Sequence, residues 1–209
     1  LMKVVILAGG KGTRLAEYTK SIPKPMVPIN KKPIILRIME HYSKYGFKEF
    51  VIATGYKNEI IKNYFKNKFL NWKIDIVYTG KDTMTGGRLK RLSKYIKDDT
   101  FLLTYGDGLS NVNIRKLINF HRSCKGIATL TAVRPPARFG VIKIKAKKVT
   151  TFKEKSSLDE GWINGGFFVM EPEVLKFIKG DMTFLERDPF EKLSKKKKLF
   201  AFKYNGFWQ

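Results

Sequence analysis

Apolar and polar positions follow one another along the first half of the chain in a pattern that predicts strands and helices in turn. Short apolar or alternating runs favour strands, whereas apolar residues that recur every three or four positions favour helices. The runs that predict strands are residues 4–8, 49–54, 73–78 and 100–105. The segments that predict helices are residues 34–45, 58–69, 87–96 and 111–121. Gly46 follows the first of these helices and suits a C-cap.

The pattern changes after Gly126, where strand-like runs dominate and the helical segments become shorter. Strands are predicted for residues 127–133, 141–145, 149–153 and 166–170, and helices for residues 173–178 and 184–194. Alternation of strands and helices is typical of a parallel sheet that is covered by helices and binds ligands at the carboxyl ends of its strands. We therefore expect residues 1–209 to form a single α/β domain with a Rossmann-like, mixed but mostly parallel sheet flanked by helices.

A glycine-rich loop, Gly-Gly-Lys-Gly-Thr-Arg, follows the first predicted strand at residues 9–14. Glycines that lack a Cβ atom let a phosphate approach backbone N–H groups, and Arg14 and Lys24 add two cations nearby. The dinucleotide fingerprint does not fit because Leu15 stands where its third glycine belongs, and no Lys-Ser or Lys-Thr closes a P-loop. The loop indicates phosphate binding, and the structural alternative is a tight turn with an exposed basic residue.

A second glycine-flanked segment, Gly106-Asp107-Gly108, follows another predicted strand. An aspartate in such a position is well placed to hold Mg²⁺ beside phosphate oxygens. The structural alternative is an Asx turn that caps the next helix. Since both glycine-rich segments follow strands, we expect them to meet at one edge of the sheet and to form a nucleoside triphosphate site.

Two weaker patterns carry further candidate residues. Thr83 and Arg88 flank glycines at a predicted helix start, where the backbone can approach a base and Arg88 can reach phosphate or ribose. A plain helix start explains the same residues. Glu154 and Asn164 can bond sugar hydroxyls and Lys155 can neutralise a phosphate, although a solvated Glu-Lys pair is the alternative.

The net charge is strongly positive, with 42 Lys and Arg against 18 Asp and Glu, giving +24. This charge is compatible with a basic nucleic-acid binder or a membrane-surface protein. The basic residues are mostly lysines spread along the chain, however, and a polyphosphate substrate benefits from the same field. Charge alone therefore selects no partner, and we expect neither nucleic acid nor membrane.

Length and composition also indicate the size of the hydrophobic core and the cellular compartment. At 209 residues with 43% hydrophobic residues, the chain is long enough for one domain with a sizeable core. No apolar run approaches the 18 or more residues of a membrane span. Cys124 is the one cysteine, so no internal disulfide can form, and we expect a cytoplasmic protein.

Eight sequence blocks occur in an order that resembles the sugar-1-phosphate nucleotidyltransferases nearly from end to end. The blocks are residues 7–15, 23–26, 84–91, 105–108, 138–140, 152–155, 164–168 and 206–209. The first loop and the Asp107 segment mark the whole superfamily. The blocks at residues 84–91 and 164–168 narrow the resemblance to the cytidylyltransferase branch, with the fold of the nucleotide-diphospho-sugar transferases.

The resemblance implies Mg²⁺-dependent transfer of a cytidylyl group from CTP to glucose 1-phosphate, giving CDP-glucose and pyrophosphate. It implies that Arg14, Lys24 and Asp107 are catalytic and that Asp107 binds the metal. The residues that it places around the nucleotide are Leu7, Ala8, Gly9, Gly10, Gly12, Thr13, Arg14, Lys24, Thr83, Gly87, Arg88 and Gly106. Those that it places around the sugar phosphate are Lys24, Glu154, Lys155, Asn164 and Gly165.

Two departures from the family pattern qualify these expectations. Family members continue past Phe-Trp-Gln into Met-Asp-Thr, whose aspartate completes the metal site, so we expect a chain truncated after Gln209. They also carry a longer insertion between residues 55–57 and Thr83, which bears on base preference and on assembly into a homo-oligomer. Another nucleoside triphosphate, another sugar or amino-alcohol phosphate and a catalytically silent homologue therefore stay open.

Overall fold

The central sheet is mixed and mostly parallel, and this confirms the predicted fold class. The computed structural model describes residues 2–10, 21–66, 71–96, 99–135, 141–153 and 161–209. Within these residues eight strands form one sheet, and two separate two-stranded ribbons lie outside it. No helix among them is long and apolar enough to cross a membrane.

The strands and helices follow each other in the order that the sequence predicts for an α/β protein. The strands are β1 Val4–Ala8, β2 Pro28–Ile29, β3 Lys32–Pro33, β4 Glu49–Thr54, β5 Lys73–Tyr78, β6 Phe101–Tyr105, β7 Ala128–Val133, β8 Val141–Lys145, β9 Lys148–Lys153, β10 Ile163–Asn164, β11 Phe168–Met170 and β12 Leu199–Tyr204. The α-helices are α1 Ile34–Ser43, α2 Asn58–Phe65, α3 Thr85–Arg91, α4 Ser93–Ile96, α5 Ile114–Cys124 and α6 Asp188–Lys195. The 3₁₀ helices are Lys24–Met26 and Pro172–Phe177.

Strand β1 lies in the middle of a parallel block whose order is β5-β4-β1-β6. Val4 pairs with Phe50 of β4 on one side and with Leu102 of β6 on the other. All five residues of β1 are buried, which is typical of a parallel strand with both faces covered. Beyond β6, the short antiparallel strand β11 joins β6 to β7, and β12 adds to β7 in parallel. The carboxyl ends of β1, β4, β5 and β6 therefore share one edge.

The two faces of the sheet carry separate hydrophobic cores because successive side chains of a strand point to opposite sides. On one face, β1 contributes Val4, Ile6 and Ala8 to the core formed with α1, α2 and α5. On the other face, it contributes Val5 and Leu7 to the core formed with α3, α4 and α6. The two helical layers thereby fix the sheet edge that carries the candidate site.

Most element boundaries match the periodicity, and three exceptions have physical causes. The helix predicted over residues 87–96 is divided at Leu92, whose N–H bonds the Leu89 carbonyl in a tight turn. The helix predicted from residue 111 begins at Ile114, because the Asn113 side chain caps it by accepting from the Lys116 N–H. The helix predicted over residues 184–194 begins at Asp188, and Pro189 occupies its first turn.

The loop of residues 178–187 covers the start of helix α3, and glycines make this contact possible. The Met84 N–H donates to the Asp181 carbonyl at 2.8 Å, and the Gly86 N–H donates to the Thr183 carbonyl at 2.9 Å. A Cβ atom at Gly87 would lie 2.3 Å from the Asp181 carbonyl oxygen. Gly87 therefore lets two backbone segments touch.

Substitution Gly87→Ala is expected to lower the free energy of unfolding by about 2 kcal/mol, because the added methyl group overpacks this contact. Urea unfolding measures the change. Gly180→Ala is the matched control, since its Cβ would have no heavy atom of the described residues within 4 Å. Equal stability of the two variants would contradict the packing role of Gly87.

Candidate active site

The ends of β1 and β6 meet the turn Pro23-Lys24-Pro25 at the carboxyl edge of the sheet. The Gly106 N–H donates to the Leu7 carbonyl at 2.9 Å, so the two strand ends are joined directly. A Cβ atom at Gly106 would lie 3.0 Å from both the Leu7 carbonyl oxygen and Pro25 Cγ, and 3.2 Å from the Ala8 side chain. The fold therefore brings together Leu7, Ala8, Gly106 and the turn that carries Lys24, all of which the sequence assigns to one site.

Lys24 and Asp107 form an ion pair at this edge. Lys24 Nζ donates to Asp107 Oδ2 at 2.6 Å, and the side chains are 30% and 39% exposed. The cation that was predicted for phosphate and the carboxylate that was predicted for metal therefore lie in contact. The pair is half-open to solvent, so a charged ligand can reach both groups.

The donor set around Asp107 fits Mg²⁺ only with help from a ligand. No group of three or more His, Cys, Asp or Glu in the described part of the chain is arranged to hold a metal ion. Asp107 supplies one hard carboxylate at an exposed strand end. Magnesium is commonly bound by one or two carboxylates together with substrate phosphates and waters. Asp107 therefore suits a metal that arrives with a triphosphate.

The Arg88 side chain is buried beneath the same edge and ties three strand ends together. Its Nη1 donates to the Thr54 carbonyl at 3.1 Å and to the Gly80 carbonyl at 2.7 Å. Its Nη2 donates to the Gly9 carbonyl at 3.0 Å. These acceptors follow or end β4, β5 and β1 respectively. Burial lowers the pKa of the Arg88 guanidinium, and this array of oxygen acceptors compensates its desolvation.

Two strand-end glycines leave room for this guanidinium. A Cβ atom at Gly9 would lie 2.2 Å from Arg88 Nη1, and one at Gly55 would lie 2.6 Å from it. Gly10, in contrast, is exposed, and a Cβ there would meet no described atom within 4 Å. Gly9 thus serves the scaffold, whereas Gly10 presents bare backbone at the surface of the site.

Three residues that the sequence assigns to the nucleotide site also make close contacts within the protein. Arg88 is 4% exposed and donates hydrogen bonds to backbone carbonyls, so it positions the loops that follow the strands. Thr83 is 8% exposed and lies close to Gly80, whose Cβ position would be 2.4 Å from Thr83 Oγ1. Gly87 contacts Asp181. Arg88, Thr83 and Gly87 therefore make close contacts within the protein, and their contacts with nucleotide stay predictions.

Asn164 lies exposed at the end of β10, where the sequence expects sugar-phosphate contacts. Its Nδ2 donates to the Tyr105 hydroxyl at 3.1 Å, and Tyr105 ends β6 two positions before Asp107. Gly165 packs closely, as Gly87 does, since its Cβ would lie 2.8 Å from Val133 Cγ1, and its contact with the sugar phosphate stays a prediction. The neighbouring Asn164 thus faces the site, while Gly165 permits close packing.

The segment of residues 207–209 lies beside the Asp107 loop, next to which the family pattern puts a second metal aspartate. The Leu109 N–H donates to the Gln209 carbonyl at 2.8 Å, and the Gln209 N–H donates back at 2.9 Å. Trp208 Nε1 donates to the Gly165 carbonyl at 2.8 Å. One short segment therefore contacts both the loop that carries Asp107 and the residue that follows Asn164.

Some predicted site residues lie outside the described residues. These are Gly12, Thr13 and Arg14 of the first loop, and Glu154 and Lys155 of the predicted sugar-phosphate side. Their roles stay predictions.

The carboxyl edge of the parallel strands carries an exposed glycine, a lysine and an aspartate. This arrangement is typical of α/β proteins that bind a nucleotide at that edge. The family described as nucleotidyl transferase matches residues 3–209. The chain belongs to this family and is a sugar-1-phosphate nucleotidyltransferase.

Curated relatives match the chain over nearly all of its length. Glucose-1-phosphate cytidylyltransferase of Salmonella typhimurium is 46% identical, over 100% of this chain and 90% of the relative. That alignment runs over 231 positions, so the relative carries additional residues within the aligned region of this 209-residue chain. D-glycero-alpha-D-manno-heptose 1-phosphate guanylyltransferase of Campylobacter jejuni is 35% identical, over 91% of this chain and 83% of the relative.

Solved structures share the fold. HddC of Yersinia pseudotuberculosis complexed with GMP-PN has a TM-score of 0.76 and 28% identity, covering 100% of this chain and 93% of that one. A UDP-glucose pyrophosphorylase complexed with UDP-glucose also has a TM-score of 0.76, covering 100% of this chain and 92% of that one. Its identity is 18%, and it supports the fold alone.

Substitution Arg88→Lys is expected to lower the free energy of unfolding by about 2–4 kcal/mol, because lysine leaves several buried carbonyls without their donors. Nucleotide affinity should also fall, because the ends of the three strands are no longer held together by one guanidinium group. Arg91→Lys on the same helix is the control, since Arg91 makes an exposed ion pair with Asp181. Urea unfolding and nucleotide titration measure both effects, and a fully stable Arg88→Lys variant would contradict the positioning role.

Proposed function

We propose that this enzyme transfers the cytidylyl group of CTP to glucose 1-phosphate, giving CDP-glucose and pyrophosphate, with Mg²⁺ as its cofactor. The observation that carries the proposal is the 46% identity to a glucose-1-phosphate cytidylyltransferase over the whole chain, against 35% for a guanylyltransferase relative. The contact between Lys24 and Asp107 supports it, because this pair offers charge of both signs to a nucleotide and its metal.

The chemistry is a single in-line displacement. An oxygen of the sugar phosphate attacks the α-phosphorus of CTP, and the bond from that phosphorus to the bridging oxygen of the β-phosphate breaks. Pyrophosphate leaves with the electron pair, so no covalent enzyme intermediate is needed. The enzyme contributes by positioning the reactants and stabilising the charge on the phosphates.

The residues at the sheet edge divide this work between them. The Lys24 ammonium neutralises charge on the α-phosphate or on the incoming sugar phosphate. Gly10 lets the phosphate chain approach bare backbone. Asp107 would hold Mg²⁺, which supplies charge neutralisation on the triphosphate when it is bound. Asn164 bonds sugar hydroxyls from the opposite side of the site.

A second candidate keeps the chemistry but changes the substrates. The relative from Campylobacter jejuni transfers a guanylyl group by its name, and HddC binds GMP-PN in its crystal structure. These similarities favour GTP and a heptose 1-phosphate as the alternative pair. Another sugar or amino-alcohol phosphate is separated from them by the same assay.

A substrate panel distinguishes these functions. The enzyme is incubated with each nucleoside triphosphate and each sugar 1-phosphate, and pyrophosphate release is measured with Mg²⁺ present. We expect CTP with glucose 1-phosphate to give a specificity constant at least about tenfold above every other pair, which corresponds to about 1.4 kcal/mol. Turnover with GTP or UTP but not with CTP would overturn the base assignment. No turnover with any pair would favour a silent homologue.

Substitution Asp107→Asn is expected to reduce kcat by about a hundredfold or more, because the neutral amide is a poor ligand for a hard cation. Binding of Mn²⁺ with CTP, followed by electron paramagnetic resonance, should weaken in parallel. Asp99→Asn is the matched control, since Asp99 is exposed before the opposite end of β6. Undiminished turnover and Mn²⁺ binding of Asp107→Asn would remove Asp107 from the metal site.

A further inference from the structure

Glu186 joins two sides of the site, although no motif in the sequence draws attention to it. The residue lies in the segment before helix α6 and is half-buried. Both of its carboxylate oxygens accept hydrogen bonds from hydroxyl groups. Tyr105 donates to Oε1 at 2.6 Å, and Thr85 donates to Oε2 at 2.6 Å. A partly buried carboxylate with two short hydroxyl contacts is held in one place.

The carboxylate sets the direction of the hydrogen bonds that follow. Because it only accepts, the Tyr105 proton must point toward Glu186, and the phenol oxygen is left to accept. It accepts from Asn164 Nδ2 at 3.1 Å. Burial, and then the neighbouring charge of Glu186, raise the pKa of Tyr105 far above neutrality, so the phenol keeps its proton. The chain of donors therefore runs from Asn164 through Tyr105 to Glu186.

This direction fixes the orientation of the Asn164 amide. Asn164 Oδ1 accepts from the Gly166 N–H at 3.0 Å, while Nδ2 faces Tyr105. A flipped amide would set its NH₂ group against the Gly166 N–H, where two donors would face each other. In the observed orientation, Asn164 is exposed, and its contacts with the described residues leave one N–H and one oxygen lone pair to offer. These two groups match the donor and acceptor capacity of sugar hydroxyls.

The other end of the chain reaches the helix that supports the nucleotide side. Thr85 is the first residue of α3, and its hydroxyl accepts from the Leu185 N–H at 2.9 Å while donating to Glu186. The same helix carries Arg88, which holds the ends of β1, β4 and β5. Glu186 therefore connects the scaffold of one half of the site with the amide of the other.

We propose that Glu186 is a positioning residue for the sugar phosphate, which it serves by fixing the Asn164 amide through the Tyr105 hydroxyl. The inference rests on the proposed function in one respect only, namely that the ligand of Asn164 is a sugar. It holds for any sugar 1-phosphate that the enzyme uses.

The first test compares Glu186→Met with Glu191→Met. Methionine keeps the length of the side chain but accepts no hydrogen from Tyr105, which can then donate to Asn164 and turn the amide over. Glu191 is exposed on α6 and serves as the control for loss of the same charge. We expect Glu186→Met to raise KM for the sugar 1-phosphate about tenfold, the effect of one lost hydrogen bond to a positioned group, with KM for the nucleotide changed less than about twofold.

Two further variants identify the route of the effect. Glu186→Gln should retain most of the wild-type KM, because its amide oxygen can still accept from Tyr105. Tyr105→Phe should reproduce the Glu186→Met phenotype, and the double variant should be no worse than either single one, as expected for residues that act as a unit. Additive effects in the double variant would overturn the proposal.

A substrate-free measurement separates this inference from the assignment of the substrate. The side-chain amide signals of Asn164 are identified in ¹⁵N-labelled enzyme by their loss in Asn164→Asp. They should shift in Glu186→Met and stay in place in Glu191→Met. Unchanged Asn164 signals would overturn the inference even if CTP and glucose 1-phosphate prove correct. An equal rise in both KM values with a lowered unfolding midpoint would also overturn it, since that outcome marks a general structural defect.

Discussion

The buried guanidinium of Arg88 is the interaction on which the rest of the site depends. Parallel strands end in backbone carbonyls that need donors, and a single planar cation satisfies those at the ends of β1, β4 and β5. Helix α3 delivers this cation, and the loop contacting Gly86 and Gly87 holds α3 in place. The exposed backbone of Gly10 directly follows Gly9, whose carbonyl Arg88 binds. The accessible backbone at Gly10 thus depends on satisfied carbonyls beneath it.

The fold could be predicted from the sequence because hydrophobic periodicity records which faces are buried. Residues 49–54 and 73–78 were predicted as strands and are β4 and β5 with the same bounds. The strand β12 was not assigned, because its neighbour β7 is distant in sequence and a parallel pairing leaves no hairpin turn as a signal. Local patterns therefore gave the elements, and the tertiary pairing at the sheet's far side came only from the structure.

The site could be predicted in part, and the division has a physical cause. Lys24, Asp107 and Asn164 are solvent-accessible polar residues in a family pattern, and Lys24 and Asp107 are in contact at one edge of the sheet. Arg88 and Gly87 belong to the same pattern and are packed against other parts of the chain, and a sequence motif does not distinguish a group that touches a ligand from one that supports it. The sequence does not point to Glu186, because its two partners, Thr85 and Tyr105, lie 101 and 81 positions away along the chain.

The backbone ladder between Leu109 and Gln209 has a consequence for how the site is made. Ser110 Oγ donates to the Phe207 carbonyl across 97 positions of sequence, so the flank of the Asp107 loop is completed by residues from the far end of the chain. Contacts of such long range must close a large loop before they return any stabilisation, and they form late in folding. The Asp107 loop thus acquires this flank only when segments about a hundred positions apart have come together.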